Sequence, residues 1–408
     1  MTGFGKRLVF VAMAAPGGVA GHHYSMRDLA RAFMREGWHV DVILFSNFGK
    51  GSSFSLAEFD PQFIKTGIGF SSAIRELRSW AREKGGDFFV AFDETSNRIA
   101  NCALFSQLET LLPVKPGWLS SSSWSAASSE FVVFTAEDLI YYRNHRKYKN
   151  VNINLITARV DPPKIDQAAV SEIRRTYLTK HDAQALVLFP VRIERGKLYL
   201  FDAVLESFAT YLQSSQESFA LLIIGTEQES EFRQELEAKT INLPVSFCSD
   251  EEYIYNISSI LSAGDIVYAA GRTAMEALLL DKRVFCPSGR KDRPVWEITT
   301  ENFFAALSGN FTGRNAGRNL YKQLTDAQQP RLLHIDDPDL KLLVQANTLA
   351  DAAVPYYTAI FGRLQTQSPS FGRRVQVFIN SRLRLFGLWL KSRLSLNLGR
   401  LAASVGRG

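Results

Sequence analysis

Two hydrophobic periods alternate along the chain. "RLVFVAM" at 7–13 is an unbroken apolar run, the mark of a strand covered on both faces. "HHYSMRDLARAFMREGW" follows, with Met26, Leu29, Ala30 and Phe33 at helical spacing; Gly37 ends this helix and "HVDVILF" resumes as a strand. Such a βαβ unit implies a parallel sheet with a right-handed crossover. The series continues with a helix at "SSAIRELRSWAREKG", a strand at "DFFVAFD", a serine-rich "WLSSSSWSAASS", and strands at "EFVVFTA" and "NVNINLIT". "RVDPPKIDQAAV", with two prolines, breaks the pattern and reads as an interdomain link. A second series then begins. Its strands are "ALVLFPV", "FALLIIG", "PVSFC", "DIVYAA" and "RVFCPS"; its helices are "LYLFDAVLESFATYLQ", "ESEFRQELEAK", "EEYIYNISSILSA" and "GRTAMEALLLD". The expected class is α/β, two Rossmann-like lobes with a ligand cleft between the carboxyl ends of their sheets.

Composition agrees with a folded two- or three-domain protein: 408 residues, 46% apolar and 22% charged. Charge changes the picture more. From residue 352 onward there is no Asp or Glu and there are nine Lys and Arg, so a net +6 leaves the preceding 351 residues at −3. The basic character belongs to the tail, which removes the main support for nucleic-acid binding. Cys102, Cys248 and Cys286 are dispersed with no metal spacing and read as reduced thiols of a cytosolic protein. The N-terminal apolar run is short for a signal peptide and reads as a buried strand, and no run reaches the roughly 20 apolar residues of a membrane span.

Three stretches could carry chemistry. "PGGVAGHH" follows the first strand, and Gly17 and Gly18 let the backbone approach an anion beside a helix N-terminus. The G-x-G-x-x-G spacing of a dinucleotide turn is missing, which disfavours a nicotinamide enzyme. A tight turn with no ligand is the alternative, and His22 and His23 suit a helix start or a supporting role as well as catalysis. In "VRIERGKLYL", Arg192 and Lys197 follow the first strand of the second lobe, where two cations could neutralise a diphosphate; the alternative is a solvated loop. In "DIVYAAGRTAMEALLLD", Gly271 opens a turn, a helix starts near Thr273, and Glu276 falls in its first turn. The free N–H groups of that turn suit a phosphate and the carboxylate suits a ribose diol, or the Glu is simply a capping carboxylate.

These stretches resemble a nucleotide-sugar glycosyltransferase of the GT-B fold, in the retaining group that includes many bacterial polysaccharide and glycolipid enzymes. "PGGVAGHHYSMRDLARAFMREGWHVDVILF" resembles its opening strand, glycine loop and helix; "VRIERGK" its Arg and Lys loop; "FALLIIGTEQE" its glycine turn; "CSDEEYIYNISSILSAGDIVYAAGRTAMEALLLDKRVFCPS" its nucleotide-binding block. "LADAAVPYYTAIFGRL" resembles the final helix that crosses back to the first lobe. The resemblance covers about residues 8 to 364 and implies an acceptor-side lobe at 1–162, a donor lobe at 163–345 and a crossing helix at 346–364. It gives Arg192 and Lys197 the donor diphosphate, Glu276 the ribose, and Gly225, Gly271, Arg272, Thr273 and Ala274 donor contacts, with Gly17 and Gly18 closing from the other lobe. No metal or cofactor is implied beyond a UDP- or GDP-sugar donor; Asp337 and Asp339, the sole D-x-D, lie past the nucleotide-binding block and read as a loop. Two departures stand out. The family's Glu-x7-Glu pair has Tyr268 at its first position, and "FVAFDETSN" lacks the histidine many members place there, leaving Asp93 or Glu94 as candidate catalytic groups or as caps of the next helix.

The tail at 365–408 places Ile379, Leu383, Phe386, Leu390, Leu394 and Leu401 roughly on one helical face, with Leu385 and Leu388 opposing it. With Arg373, Arg374, Arg382, Arg384, Lys391 and Arg393, it fits an interfacial helix on anionic lipid, or else a partner-binding helix or a disordered basic end. The expected function is sugar transfer from a nucleoside-diphosphate donor to a glycan or lipid-linked acceptor in surface polysaccharide or glycoconjugate synthesis, at the inner face of the plasma membrane. The alternatives are a non-catalytic binding scaffold and a nucleotide-sugar epimerase or hydrolase of the same fold.

Overall fold

The unbroken run Arg7–Met13 forms strand β1, and its side chains divide between two cores. Leu8, Phe10 and Ala12 pack with Met26, Leu29 and Phe33 on one side. Val9 and Val11 pack with Ile74, Leu77 and Ile99 on the other. That division is why the strand has no polar alternation. The structure, a computed structural model, describes residues 5–14, 21–46, 54–116, 124, 128–157, 159–290, 293–313, 318–324, 339–367 and 369–405. Two compact units divide the chain: Met1–Phe134, Asp138–Arg159 and Ala350–Gly408 form the first, Thr135–Glu137 and Val160–Leu349 the second.

In the first unit, β1 is followed by α1 (Gly21–Arg35), β2 (His39–Ser46), β3 (Gln62–Lys65), α2 (Ser71–Lys84), β4 (Phe88–Ala91) and α3 (Glu94–Ala103). Then come β5 (Leu111–Lys115), β6 (Glu130–Val133), α4 (Ala136–Asn144), which begins in the second unit, and β7 (Asn152–Leu155). The seven strands are ordered β3-β2-β1-β4-β5-β6-β7, and their pairings are parallel.

The second unit contains α5 (Gln167–His181), β8 (Ala185–Pro190), α6 (Leu198–Ser214), β9 (Phe219–Ile224), α7 (Ser230–Lys239) and β10 (Val245–Cys248). It continues with α8 (Glu251–Tyr255), α9 (Ile257–Ala263), β11 (Ile266–Tyr268), α10 (Arg272–Leu279), β12 (Arg283–Arg290), β13 (Arg293–Glu297), α11 (Phe303–Ser308) and α12 (Leu340–Thr348). Strand order is β10-β9-β8-β11-β12-β13; the first five run parallel and β13 adds an antiparallel edge. The unit closes where the chain enters and leaves it, through a parallel bridge between Val160 and Leu349. "EEYIYNISSILSA" is not one helix. Asn256 at φ −102°, ψ 49° ends α8 and opens α9.

The chain returns to the first unit as α13 (Val354–Thr366) and α14 (Phe371–Val405). In α13, Tyr357, Ile360, Phe361 and Leu364 enter the α1-side core, and Phe361 stacks on Phe88 at 4.3 Å between ring centres. Its Arg363 forms a two-bonded pair with fully buried Glu130, at 3.0 Å each. The tail is one helix, and it is not free. Val377 and Leu385 enter the core beside α2 and α3, Ser381 between them is fully buried, and Phe386 lies 3.6 Å from where a Gly69 Cβ would stand. Leu385, which the sequence placed opposite the apolar face, is thus a contact residue, Ile379, Leu383 and Leu390 face outward, and Phe386 is half-exposed beside Gly69. Side chains beyond Lys391, including Arg393, Leu394 and Leu401, lie outside the described residues. Arg374, expected to face lipid, is instead held by Glu109 at 3.0 Å and the Ser106 carbonyl at 2.7 Å. Among the described residues no helix is long and apolar enough to cross a membrane.

A Leu385→Ala substitution is expected to weaken α14 docking by about 2–5 kcal/mol, the usual cost of emptying a buried Leu site. Hydrogen exchange should show amides 377–389 losing protection while β1 keeps its own; full retained protection over 377–389 would contradict this docking.

Candidate functional site

Strand order alone locates one candidate site in each unit. In the second unit β8 lies between β9 and β11, so successive connections leave it in opposite directions. The loops after β8 and β11 therefore meet at a topological switch point, at the carboxyl ends of the strands.

After β8, the chain reaches Arg192, Glu194 and Lys197. The Arg192 guanidinium is 55% exposed and lies 3.4 Å from Glu194 Oε1, and Lys197 Nζ lies 3.9 Å from that same oxygen. Burial, then the Arg192 charge, holds the Lys197 ammonium below the usual lysine range, with Glu194 acting against both. Glu194 was not singled out from sequence. It joins the two cations and leaves the group at a net single positive charge. Arg195, in the same loop, is committed elsewhere, to Glu235 at 2.6 Å. Gly225, just after β9, has a packing reason to be glycine: a Cβ there would stand 2.0 Å from the Val191 carbonyl oxygen.

After β11, Gly271 adopts φ 62°, ψ −134°, a backbone that side chains resist, and becomes the N-cap of α10 with no capping side chain. Its own N–H donates to the Phe311 carbonyl at 3.1 Å. The following N–H groups of Arg272, Thr273 and Ala274 open the helix, where none has a carbonyl four residues back within the helix. This corrects one expectation. Because Gly271 caps the helix, α10 starts at Arg272 and no acid lies in its first turn. Glu276 falls in the second turn, so the capping-box geometry that would explain it structurally is absent. It is 5% exposed, and its Oε1 accepts from Arg272 Nη2 at 2.6 Å. Arg272 and Glu276 thus form a neutral pair one turn apart. Asn310 and Phe311 lie against Gly271 in left-handed conformations, φ 57° and 51°; asparagine tolerates that region, but nothing in the sequence marks Phe311 for it.

Tyr268, at the position of the family's first carboxylate, ends β11 as a core residue, 3% exposed, with its hydroxyl 3.0 Å from Ser207 Oγ. Burial pushes its phenol above the usual range. Asp339 caps α12 by accepting from the Leu342 N–H at 2.7 Å; Asp337 lies outside the described residues.

In the first unit the switch point lies between β1 and β4, since β1 is flanked by β2 and β4. Gly17 and Gly18 belong to the loop that follows β1 and lie outside the described residues. Asp93, after β4, caps α3. Its Oδ1 accepts from Ser96 N at 2.8 Å, and its Oδ2 accepts from Ser96 Oγ at 2.7 Å and from Met13 N at 2.6 Å. Of the capping and catalytic readings of Asp93, this geometry meets the first and leaves about one lone-pair direction for anything else. Glu94 pairs with Arg98 at 2.8 Å. The Met13 peptide is held from its other side by His23, whose Nε2 lies 2.9 Å from the Met13 carbonyl oxygen. His23 is pushed down to about 4 by burial and by His22, so it is neutral at pH 7, donates from Nε2, and keeps a bare Nδ1. Its neighbour His22, ring centre 4.5 Å away, is also lowered by burial, with Asp93 opposing. Among the described residues neither His22 Nε2 nor His23 Nδ1 has a hydrogen-bond partner.

No protein-family model and no curated protein sequence matches this chain. Its structure is similar to a glycosyltransferase from Rickettsia africae, with TM-score 0.54, 13% identity, 90% of this chain covered and 100% of that one. It is also similar to Anabaena Alr3699/HepE solved in complex with UDP-glucose, with TM-score 0.50, 12% identity and 95% and 99% coverage. A third is the catalytic domain of Arabidopsis thaliana starch synthase IV bound to ADP and acarbose, with TM-score 0.50, 12% identity and 89% and 100% coverage. At these identities the likeness is one of fold, and the fold is GT-B.

Proposed function

We propose that this chain is a glycosyltransferase that moves a sugar from a nucleoside-diphosphate donor to a glycan or lipid-linked acceptor. One observation carries the reading: at the switch point of the second unit, the Arg192–Glu194–Lys197 group follows β8 and the uncapped start of α10 follows the neighbouring strand β11, with Glu276 in the second turn of that helix. Breaking a sugar–phosphate bond puts charge on the departing diphosphate. Fixed cations and oriented N–H groups stabilise that charge without reorganising. Arg192 and Lys197 take the diphosphate, the start of α10 takes a phosphate oxygen, and Glu276, paired with Arg272, accepts from the ribose diol. Neighbours of the same fold solved with UDP-glucose and with ADP favour a nucleotide donor; for this chain the donor is a UDP- or GDP-sugar.

The outward apolar stripe of α14, with Arg382, Arg384 and Lys391 around it, fits docking on an anionic membrane face. That placement suits a lipid-linked acceptor and surface-glycan synthesis at the inner face of the plasma membrane.

The experiment is a donor panel read as nucleoside-diphosphate release and product analysis, with Glu276→Gln alongside. Losing a hydrogen bond from a charged group costs about 1.5–3 kcal/mol, so the variant should weaken donor binding by roughly 10- to 100-fold. An unchanged donor KM removes Glu276 from the site. Tyr268, a core residue where the family has a carboxylate, favours a second reading, a binding protein without transfer. Tight donor binding with no turnover on any donor would select it, and isomerised or hydrolysed donor without acceptor would select an epimerase or hydrolase.

A further inference from the structure

The first unit carries a cationic cavity that donor chemistry does not use. Beside the stripe by which α14 docks, the surface opens into a cavity of about 410 Å³. Arg98 of α3, Lys147 and Asn150 of the turn before β7, and Arg373, Gln376 and Asn380 of α14 line it. The Arg98 side chain is 3% exposed, and Glu94 Oε1 accepts from its Nε at 3.0 Å and its Nη2 at 2.8 Å. Lys147 Nζ donates to the Trp124 carbonyl at 2.6 Å. Two guanidinium groups and one ammonium therefore line the cavity, with Glu94 paired to Arg98.

Like charges held together in partly buried positions repel, and the repulsion is stronger than in water. The ionisation of Lys147 reflects this. Burial, then Arg98, lowers the Lys147 ammonium against a smaller pull from Glu94, with Arg384 adding to the lowering. Burial lowers Arg373 as well. A ligand carrying one to two negative charges would relieve that repulsion, and several acceptor oxygens could meet two guanidinium groups, an ammonium and the amides of Asn150, Gln376 and Asn380.

We propose that this cavity binds a phosphate ester, either the headgroup of an anionic lipid or a soluble phosphate monoester. The lipid source rests on the membrane reading of α14, because the same helix exposes Leu383 and Leu390. The soluble source does not.

The full chain is titrated with sn-glycerol 3-phosphate by calorimetry, and sedimented with phosphatidylcholine vesicles with and without phosphatidic acid. Lys147→Gln/Arg373→Gln is expected to weaken binding by about tenfold or more. Asn380→Leu, which changes no charge and removes a lining amide, should weaken it several-fold. Arg175→Gln/Lys180→Gln removes the same charge from exposed positions of α5, away from the cavity and from α14, and serves as the control, and thermal melting verifies that each variant folds. Loss with both probes, or with vesicles alone, supports the site and names the source as phosphate itself or lipid headgroup. A wild type that binds neither glycerol phosphate nor phosphatidic acid, a cavity variant that binds like wild type, or a control that loses as much overturns it. Leu383→Ser/Leu390→Ser tests the membrane reading separately: it should weaken vesicle binding and leave glycerol phosphate unchanged. Unchanged vesicle binding there would remove the apolar-face reading and leave the cavity standing.

Discussion

Replacing Lys197 by alanine should lower the rate of donor-dependent nucleoside-diphosphate release by about 10²–10³-fold, with a smaller change in donor KM. That is the usual cost of removing one preorganised charge from the position where negative charge develops. Lys197 is suited to this role because it is partly withdrawn from water and its ammonium is already disfavoured by burial and by Arg192. A diphosphate gaining charge restores what burial took away, so the interaction strengthens as the bond breaks. The sign of the pH effect follows. In the proposed role the protonated form is the one required and its ionisation is lowered, so activity should fall on the alkaline side before an ordinary lysine would titrate. Glu194→Gln provides the opposite test. It frees both cations, so donor binding should tighten, whereas a weaker donor affinity would show that Glu194 positions them. A Lys197→Ala enzyme with wild-type kcat would remove the residue from the chemistry and the diphosphate assignment with it.

The second large effect is structural and falls at the end of the neighbouring strand, β9. Gly225→Ala places a Cβ 2.0 Å from the Val191 carbonyl oxygen, 2.7 Å from its carbon and 3.3 Å from Arg192 N. No rotamer relieves a clash between two backbones, so the ends of β8 and β9 must part. The expected cost is about 3 kcal/mol or more in urea unfolding, at the top of the range for overpacking. Any folded fraction should release little nucleoside diphosphate, because the shifted segment carries Arg192. Gly196→Ala is the internal comparison. It lies in the same loop, a Cβ there meets nothing within 4 Å, and it should leave stability within about 0.5 kcal/mol. Equal midpoints for the two variants would show that the ends of β8 and β9 yield easily.

What could be read from the sequence depended on whether the signal was local. β1 and β8 are covered on both faces, so their apolar runs have no ambiguity. The β8 loop and the glycine turn before α10 were legible because each follows directly on a readable strand. Other elements depend on partners distant in sequence. β13 is a five-residue edge strand containing Pro294, and only its antiparallel pairing with β12 makes it a strand. β3 has four residues, two of them polar. Glu276 could be singled out as a candidate, but its pairing with Arg272 and its place in the second turn depend on where Gly271 starts the helix. Helical periodicity revealed an apolar stripe on α14 but not a second one; Leu385 looked misplaced because α3 was not in view. The Gly225 requirement is wholly tertiary, since nothing near it in sequence marks the Val191 carbonyl.

The bridge between Val160 and Leu349 has a consequence for the order in which the protein is completed. Residues 160–349 begin and end side by side, so that unit can close as soon as its last strand and helices leave the ribosome. The first unit cannot. One face of its sheet is finished by Tyr357, Ile360 and Phe361 of α13, and the other by Val377 and Leu385 of α14. The unit that is first in sequence is therefore the last to be sealed. Until residues 350–385 emerge, both faces of its sheet are wetted where those helices will lie, and this half of the molecule is the one exposed to proteases and chaperones during synthesis.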